Sequence, residues 1–343
     1  MIRNYKPGDE EGIQALFQEV FNKKRPLEEW RWKFQQNPYK EPLIALWDEN
    51  EIAGHVSLVP FAAKWFDEEV TFGARLDTMV SQKHRGKRIY PQLNEYLFSQ
   101  AEEKGFDFLF GFPAELAKKL LVRDSGAAEI AEIPRLMLIN RVSGMVGAKF
   151  PFLKPLLPFV RIAESFKKHR EKSTPFEIKE IKQCGPEFDA LWESVKNDYP
   201  ILLKRSSSFL NWRYFARPGF AYRMFGCYQD GNLKGYTVIN VQEKAYGKGS
   251  LKNGFIVDMM AVQDRDVWSA LISRAKSELS SCDMVNTWAL THTMLYDELK
   301  KASFIHKDAP MTLVGKSISK LPKQQEGYTI NNWFITPGDV DSF

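Results

Sequence analysis

The sequence predicts an α/β protein in which one unit, a mixed and mostly antiparallel sheet flanked by helices, is used twice in tandem. Three observations predict it. Trp32-Lys33-Phe34 with Pro38 six residues after the tryptophan returns as Trp212-Arg213-Tyr214 with Pro218 at the same step. Each copy then enters a hairpin, turned by residues 48–54 in the first and 230–235 in the second, where Asn, Asp and Gly provide the turn chemistry. Beyond the hairpin an aspartate recurs at one spacing: Asp77 stands 23 residues after Gly54, and Asp258 stands 23 after Gly235.

The remaining elements come in order. The first copy opens with a short strand at 2–5 and a helix begun by Asp9, with Ile13, Leu16, Phe17 and Val20 on one face. The second opens with a strand at 176–181 and a helix at 186–195, with Phe188, Leu191, Trp192 and Val195 on its apolar face. After the aspartate each copy has a helix and then a buried strand, at 106–110 and at 284–290. Trp30, Trp32, Trp192 and Trp212 are expected as core pieces of the repeated helices. The expected organisation is a unit at 1–140, a connector at 141–175, a second unit at 176–318 and a tail at 319–343. The connector is apolar and rich in proline, but Arg141, Lys149, Lys154 and Arg161 interrupt it too often for a membrane span. Residues 169–174 read as an exposed linker.

Composition sets the frame. A chain of 343 residues is long enough for two cores, and 44% hydrophobic with 27% charged residues is the balance of a globular protein. The formal charge of +5 is spread along the chain, which permits an anionic ligand without arguing for nucleic acid. Cys184, Cys227 and Cys282 form no CxxC pair, and His292 and His306 have no ligand-like spacing, so no metal is expected. The N-terminus lacks an apolar signal core and no run reaches the roughly 20 apolar residues of a span. A cytoplasmic location is expected; the oligomeric state is left open.

The most informative stretch is 76–97. Leu76, Met79 and Val80 read as a strand, His84-Arg85-Gly86-Lys87-Arg88 as a short basic loop, and Pro91, Leu93, Leu97 and Ala101 as a helix. Such a loop aims backbone N–H groups and the positive end of a helix at one spot suited to a pyrophosphate. Gly86 lets the main chain approach, while Arg85, Lys87 and Arg88 add charge. In the second copy the equivalent stretch, from Met259 to Val267, has no glycine and gains Asp264 and Asp266, so only the first copy is expected to hold such a ligand.

A strand, then Arg-Gly-Lys-x-Ile, then a helix resembles the acyl-CoA-binding motif of the GNAT N-acetyltransferase superfamily. The family pattern has Gln or Arg where this chain has Lys83, and Gly or Ala where it has Arg88. The order of elements in each copy also matches the GNAT fold, so the resemblance spans most of the chain as two copies. Tandem GNAT proteins associated with bacterial polysaccharide synthesis carry tails similar to this one. The resemblance implies that acetyl-CoA is the cosubstrate and that a primary amine on a small molecule, an amino sugar among the possibilities, is the acceptor. It implies cofactor contacts from Thr78, Met79 and Val80 through their backbone, and from Arg85, Gly86, Lys87, Arg88, Ile89 and Tyr90. The family's usual acid is a tyrosine in the helix expected at 115–122, which here has none, and Gly111-Phe112-Pro113-Ala114 ends in alanine where a related form has asparagine.

Acyl transfer needs a group to take the amine proton, a polarised carbonyl and a proton for the thiolate. Asp77 is a candidate base, although Asp258 holds the same place in the copy without a cradle, which favours a structural role for both. Tyr90 is the candidate acid, with Tyr96 flanking. The tail, from Asn332 to Phe343, sets Asp339, Asp341 and the Phe343 carboxylate as candidates at the cleft, because some larger GNAT enzymes use a terminal carboxylate as base. His55 and His84 are lesser candidates. Two other functions fit the same fold: a binding or scaffold protein that has lost the cradle, and an aminoacyl transferase of the peptidoglycan-bridge type, which normally carries a long helical arm.

Overall fold

The repeated hairpins form the centre of each half. The computed structural model describes residues 1–141, 175–246 and 249–342. The first half runs β1 (Ile2–Asn4), α1 (Glu10–Phe21), α2 (Leu27–Phe34), β2 (Leu43–Asp48), β3 (Ile52–Trp65), β4 (Glu68–Val80), α3 (Ile89–Ala101), β5 (Phe108–Gly111), α4 (Glu115–Ser125) and β6 (Ala128–Ile139). The second runs β7 (Glu177–Ile181), α5 (Pro186–Val195), β8 (Ile201–Leu203) and α6 (Ser207–Leu210), then β9 (Arg223–Gln229), β10 (Asn232–Tyr246) and β11 (Gly249–Ala261). It closes with α7 (Arg265–Glu278), β12 (Met284–Trp288), α8 (Met294–Lys301) and β13 (Ile305–Ser317). The fold class is therefore mixed α/β with one large, mostly antiparallel sheet. The strand expected at 76–80 is the end of a longer one, because β3 and β4 pair from Trp65↔Glu68 to Gly54↔Val80.

The halves are interlocked rather than set side by side. The sheet order is β1-β2-β3-β4-β5-β13-β6-β12-β11-β10-β9-β7, with β8 on β3. The closing strand of each half is thus inserted into the other: β13 pairs with β5 and β6 pairs with β12, while β13 and β6 pair with one another. Cut from its partner, either half would expose a bare edge at β5 or β12. The cores are shared accordingly. Leu136 and Leu138 of β6 pack in the second core, and Leu313 of β13 packs in the first with Phe72 and Phe108.

Two faces of the first half are covered by different helices. Ile13, Leu16, Trp30 and Phe34 from α1 and α2 cover one side of the sheet, and Ile89, Leu93, Leu97 and Ala101 from α3 cover the other. Each such side chain contributes about 1.5–3 kcal/mol by leaving water, alanine less. All four repeated-helix tryptophans are buried. Trp32 and Trp212 also meet each other: their rings stack at 4.9 Å, Trp32 Nε1 donates to Trp212 O at 2.8 Å, and Trp212 Nε1 donates to Trp32 O at 2.9 Å. This reciprocal pair fixes the two halves in register.

The tail is packed against both halves. Trp65 Nε1 donates to Pro322 O at 2.7 Å, and Trp333, Phe334 and Ile335 are buried. The chain then continues between the halves to Ser342. Nearly all of the expected connector, and the linker at 169–174, lie outside the described residues.

Candidate active site

β4 and β5 run parallel and pair at Phe72↔Phe108, Gly73↔Leu109 and Ala74↔Phe110, after which they part. The gap is a cleft of about 290 Å³. β4 lines it with Ala74, Arg75, Leu76, Asp77 and Thr78; Phe110, Phe112 and Ala114 face it from the β5 side, and Tyr90 closes one end. On this side, among the described residues, β4 pairs with no strand beyond Ala74, so the backbone polar groups on that edge face the cleft. A bulge aims that edge. The β3/β4 register shifts between His55 and Ser57, and Asp77 takes φ of +47°. His55 Nδ1 donates to Asp77 O at 2.7 Å and Ser57 Oγ donates to Leu76 O at 2.7 Å, clamping the bulge from behind. Burial, opposed by Asp77, pushes the His55 pKa down to about 4, so this imidazole is a neutral clamp at ordinary pH.

The loop ahead of α3 is tied at its start and leaves later backbone N–H groups without an acceptor among the described residues. Glu19 fixes its start by accepting from Ser81 Oγ at 2.9 Å and from Gln82 N at 2.8 Å. Gly86 then takes φ of +86° and Arg88, the residue before α3, takes +58°. The side chain of Arg88, at the N-cap, does not cap α3. Among the described residues no backbone acceptor takes the N–H of Gly86, Lys87 or Arg88. A Cβ on Gly86 would meet nothing within 4 Å, so main chain is accessible there. Lys83, Arg85, Lys87 and Arg88 are exposed around it, while Ile89 is buried and anchors the helix. Arg88 keeps the left-handed backbone that glycine adopts freely, at a cost of about 1 kcal/mol. Its side chain does not line the cleft. These features suit the diphosphate of a CoA ester, with backbone donors inside and cations outside.

The candidate acids and bases separate sharply. Asp77 is paired with Arg25 and, at 3.2 Å, with Lys33. Burial opposes its ionisation, but Lys33 and then Arg25 hold the carboxyl well below the usual carboxylate range. It is an anchor for the bulge rather than a ready proton acceptor. Lys33 reaches onward to Asp341 at 2.6 Å. Burial works against its charge, yet Asp341 and Asp77 raise its pKa. Asp339 and Asp341 both line the cleft. Burial, against Arg205 and with Asp258, pushes Asp339 up to about 6. Tyr90 lines the cleft and Met79 is buried. His84 lies 3.5 Å from Glu49, in the loop. Phe343 lies outside the described residues.

The second half has the same opening with a different content. β11 and β12 pair only at Asn253↔Met284, Gly254↔Val285 and Phe255↔Asn286. Residues 336–340 fill the space beyond. Thr336 Oγ1 donates to Asp258 at 2.8 Å, Arg205 pairs with Asp339 at 2.7 Å, and Arg213 Nη2 donates to Val340 O at 2.6 Å. Tyr214 and Tyr236 also donate to Asp258, at 3.0 and 2.9 Å. The next helix is closed by its own residue, since Asp264 accepts from Asp266 N at 2.8 Å. Among the described residues no group of His, Cys, Asp and Glu is placed to hold a metal, and no helix is long and apolar enough to cross a membrane.

Sequence reasoning missed Arg25, Lys33 and Arg75. The first two were within reach, because Arg25 precedes Arg205 by the same 180 residues that separate Trp32 from Trp212, and Lys33 aligns with Arg213. Arg75 carries no repeat signal.

Residues 1–118, about a third of the chain, match the sequence model of the Acetyltransferase (GNAT) domain. Nothing among curated proteins matches the sequence. Solved structures match its fold over nearly the whole chain. A probable N-acyltransferase of unknown function from Enterococcus faecalis V583 aligns with a TM-score of 0.68 at 11% identity, covering 93% of this chain and 72% of that one. A GCN5-related N-acetyltransferase from Anabaena variabilis ATCC 29413 gives 0.68 at 11%, covering 93% and 73%. The Saccharomyces cerevisiae N-myristoyltransferase with bound myristoyl-CoA gives 0.59 at 11%, covering 92% and 78%. At such identities the likeness is one of fold.

Proposed function

We propose that the protein is a tandem-GNAT acyltransferase that moves an acetyl group from acetyl-CoA to a primary amine on a small molecule, with amino sugars the first acceptors to test. One observation carries this reading: the cleft between β4 and β5 opens beside an uncapped helix start ringed by exposed cations. Thr78, Met79 and Val80 would hold the pantetheine arm by their backbone, and Arg85, Gly86, Lys87, Arg88, Ile89 and Tyr90 the diphosphate. Acetyl-CoA supplies the thioester. The net change forms an amide C–N bond and breaks a C–S bond, with one proton leaving the amine and one reaching the thiolate.

Tyr90 Oη is the proton donor at the cleft. Asp77 is committed to Arg25 and Lys33 and the buried Asp339 to Arg205, so of the carboxylates lining the cleft Asp341, the most exposed, is best placed to accept a proton. The apolar walls from Phe110 and Phe112 exclude water and favour the neutral amine. Against a scaffold that has lost its cradle stands the accessible main chain at Gly86. Against an aminoacyl transferase with a helical arm, no helix among the described residues exceeds the 14 residues of α7.

Calorimetric titration of the full chain with CoA and acetyl-CoA tests the reading. Micromolar binding that is lost in Gly86→Glu is expected, because a carboxylate there opposes the diphosphate. Wild-type protein that binds neither would sink it.

A further inference from the structure

Arg75 is a cation that acetyl transfer does not use. It comes directly after Ala74, the last residue of β4 to pair with β5, and so stands where the strands part. Gly111 keeps the space beside it clear, since a Cβ there would sit 3.3 Å from Arg75 Cβ. The guanidinium lies between Asn94 and Tyr90, both of which interact with it. Nη2 donates to Asn94 Oδ1, and Asn94 is itself oriented by donating through Nδ2 to Ser125 Oγ at 3.0 Å. The Tyr90 ring lies 6.0 Å from the guanidinium carbon. Among the described residues Nε and Nη1 are shielded from solvent and make no close hydrogen bond, the Tyr90 hydroxyl being the nearest interacting group, and no carboxylate pairs with Arg75.

Other buried arginines here are differently placed. Arg25 has Asp77, Arg205 has Asp339, and Arg213 has the carbonyl of Val340. Two shielded donors without an acceptor are costly to keep, and burial accordingly lowers the Arg75 pKa although Tyr90 acts the other way. A methionine or leucine would fill the same wall, beside Ala74, Phe110 and Phe112, without that cost. The arrangement is economical only when a ligand brings the missing acceptor.

We propose that Arg75 is a specificity residue of the cleft, donating from Nη1 or from Nε, which lie on different edges of the guanidinium, to a carboxylate carried by the ligand, either the free end of a dicarboxylic acyl-CoA or the carboxylate of an amine acceptor. This rests on the acyltransferase reading. A charge-assisted hydrogen bond from a guanidinium to a carboxylate is about twice as strong as a neutral one, and a neutral acetyl group or a simple amine lacks it.

The test titrates full-length wild type, Arg75→Met and Arg75→Lys with CoA, acetyl-CoA and succinyl-CoA. It then titrates the CoA-bound protein with alanine and with ethylamine, and thermal melting confirms that each variant is folded. If the acyl chain brings the carboxylate, wild type binds succinyl-CoA about tenfold or more tighter than acetyl-CoA. If the acceptor brings it, alanine is preferred over ethylamine by a similar factor. In either case Arg75→Met abolishes the preference, Arg75→Lys restores part of it, and affinity for CoA itself is unchanged. Equal loss for all three CoA forms in Arg75→Met would assign Arg75 to the diphosphate and overturn the inference. So would a folded wild type that binds CoA and shows neither preference, with the acyltransferase reading left standing. A wild type that binds no CoA form removes both.

Discussion

The cleft between β4 and β5 is open, whereas the matching one between β11 and β12 contains residues 336–340 of the same chain. Both begin with three parallel pairs and both keep an arginine–aspartate pair on the bulged strand, Arg25 with Asp77 and Arg205 with Asp258. The shared parts therefore build the opening, and the residues just past the aspartate decide its use. In the first half a glycine loop leaves the start of α3 uncapped; in the second Asp264 satisfies the start of α7 and repels anions. The second opening has become a socket for the tail.

Substitutions can break this contrast, and the largest effect is expected at Asp258. It accepts from two tyrosines and Thr336 at the centre of the filled cleft. Asp258→Ala removes one of the two carboxylates that face Arg205 and strands those hydroxyls, at an expected cost of about 3–5 kcal/mol in urea unfolding. A loss below about 1 kcal/mol would mean that the tail is not seated there in solution. Gly338→Val comes next. Its Cβ would lie 2.4 Å from Tyr214 Oη and 3.0 Å from Asp258 Cγ, so a loss of about 2–3 kcal/mol is expected. An unchanged melting temperature would contradict the packing.

Acidity separates the two clefts by sign. Asp339, pushed up to about 6 from 3.8, is protonated more readily folded than unfolded. Its contribution to stability therefore weakens as pH rises through that span, by on the order of 1–3 kcal/mol. Asp77, held below the usual range, behaves oppositely: its contribution is present above pH 3.8 and is lost as pH falls through its lower folded value. Melting curves from about pH 3 to 7 should show the upper dependence removed by Asp339→Asn and the lower one reduced by Asp77→Asn; if Asp339→Asn leaves the slope between about 4 and 6 intact, another group titrates there. The smallest effect is expected from Gly86→Ala, whose Cβ enters open space and which bears only the left-handed φ, about 1 kcal/mol. A larger loss would show that the loop is packed rather than open.

Much of the fold was legible because its signals are local. The spacing from Gly54 to Asp77 and from Gly235 to Asp258 located both bulged strands, and the helix expected at 186–195 is α5 as observed. The pairing of strands was not legible. Nothing near β5 or β6 states which strand lies beside it, since Gly111 pairs with Val314 on β13. The loop at 85–89 announced itself through composition, whereas the state of Asp77 depended on Arg25 and Lys33, which reach it from separate elements. Whether the tail enters a cleft depends on partners such as Arg205 and Arg213, more than a hundred residues away in sequence.

The exchange of β6 and β13 also bears on how the chain is made. As synthesis proceeds from the N-terminus, β5 emerges long before β13 and must wait, unzipped on one side, until nearly the whole polypeptide has arrived. Truncated translation products would carry that sticky border permanently, which makes them substrates for chaperones and proteases rather than working fragments.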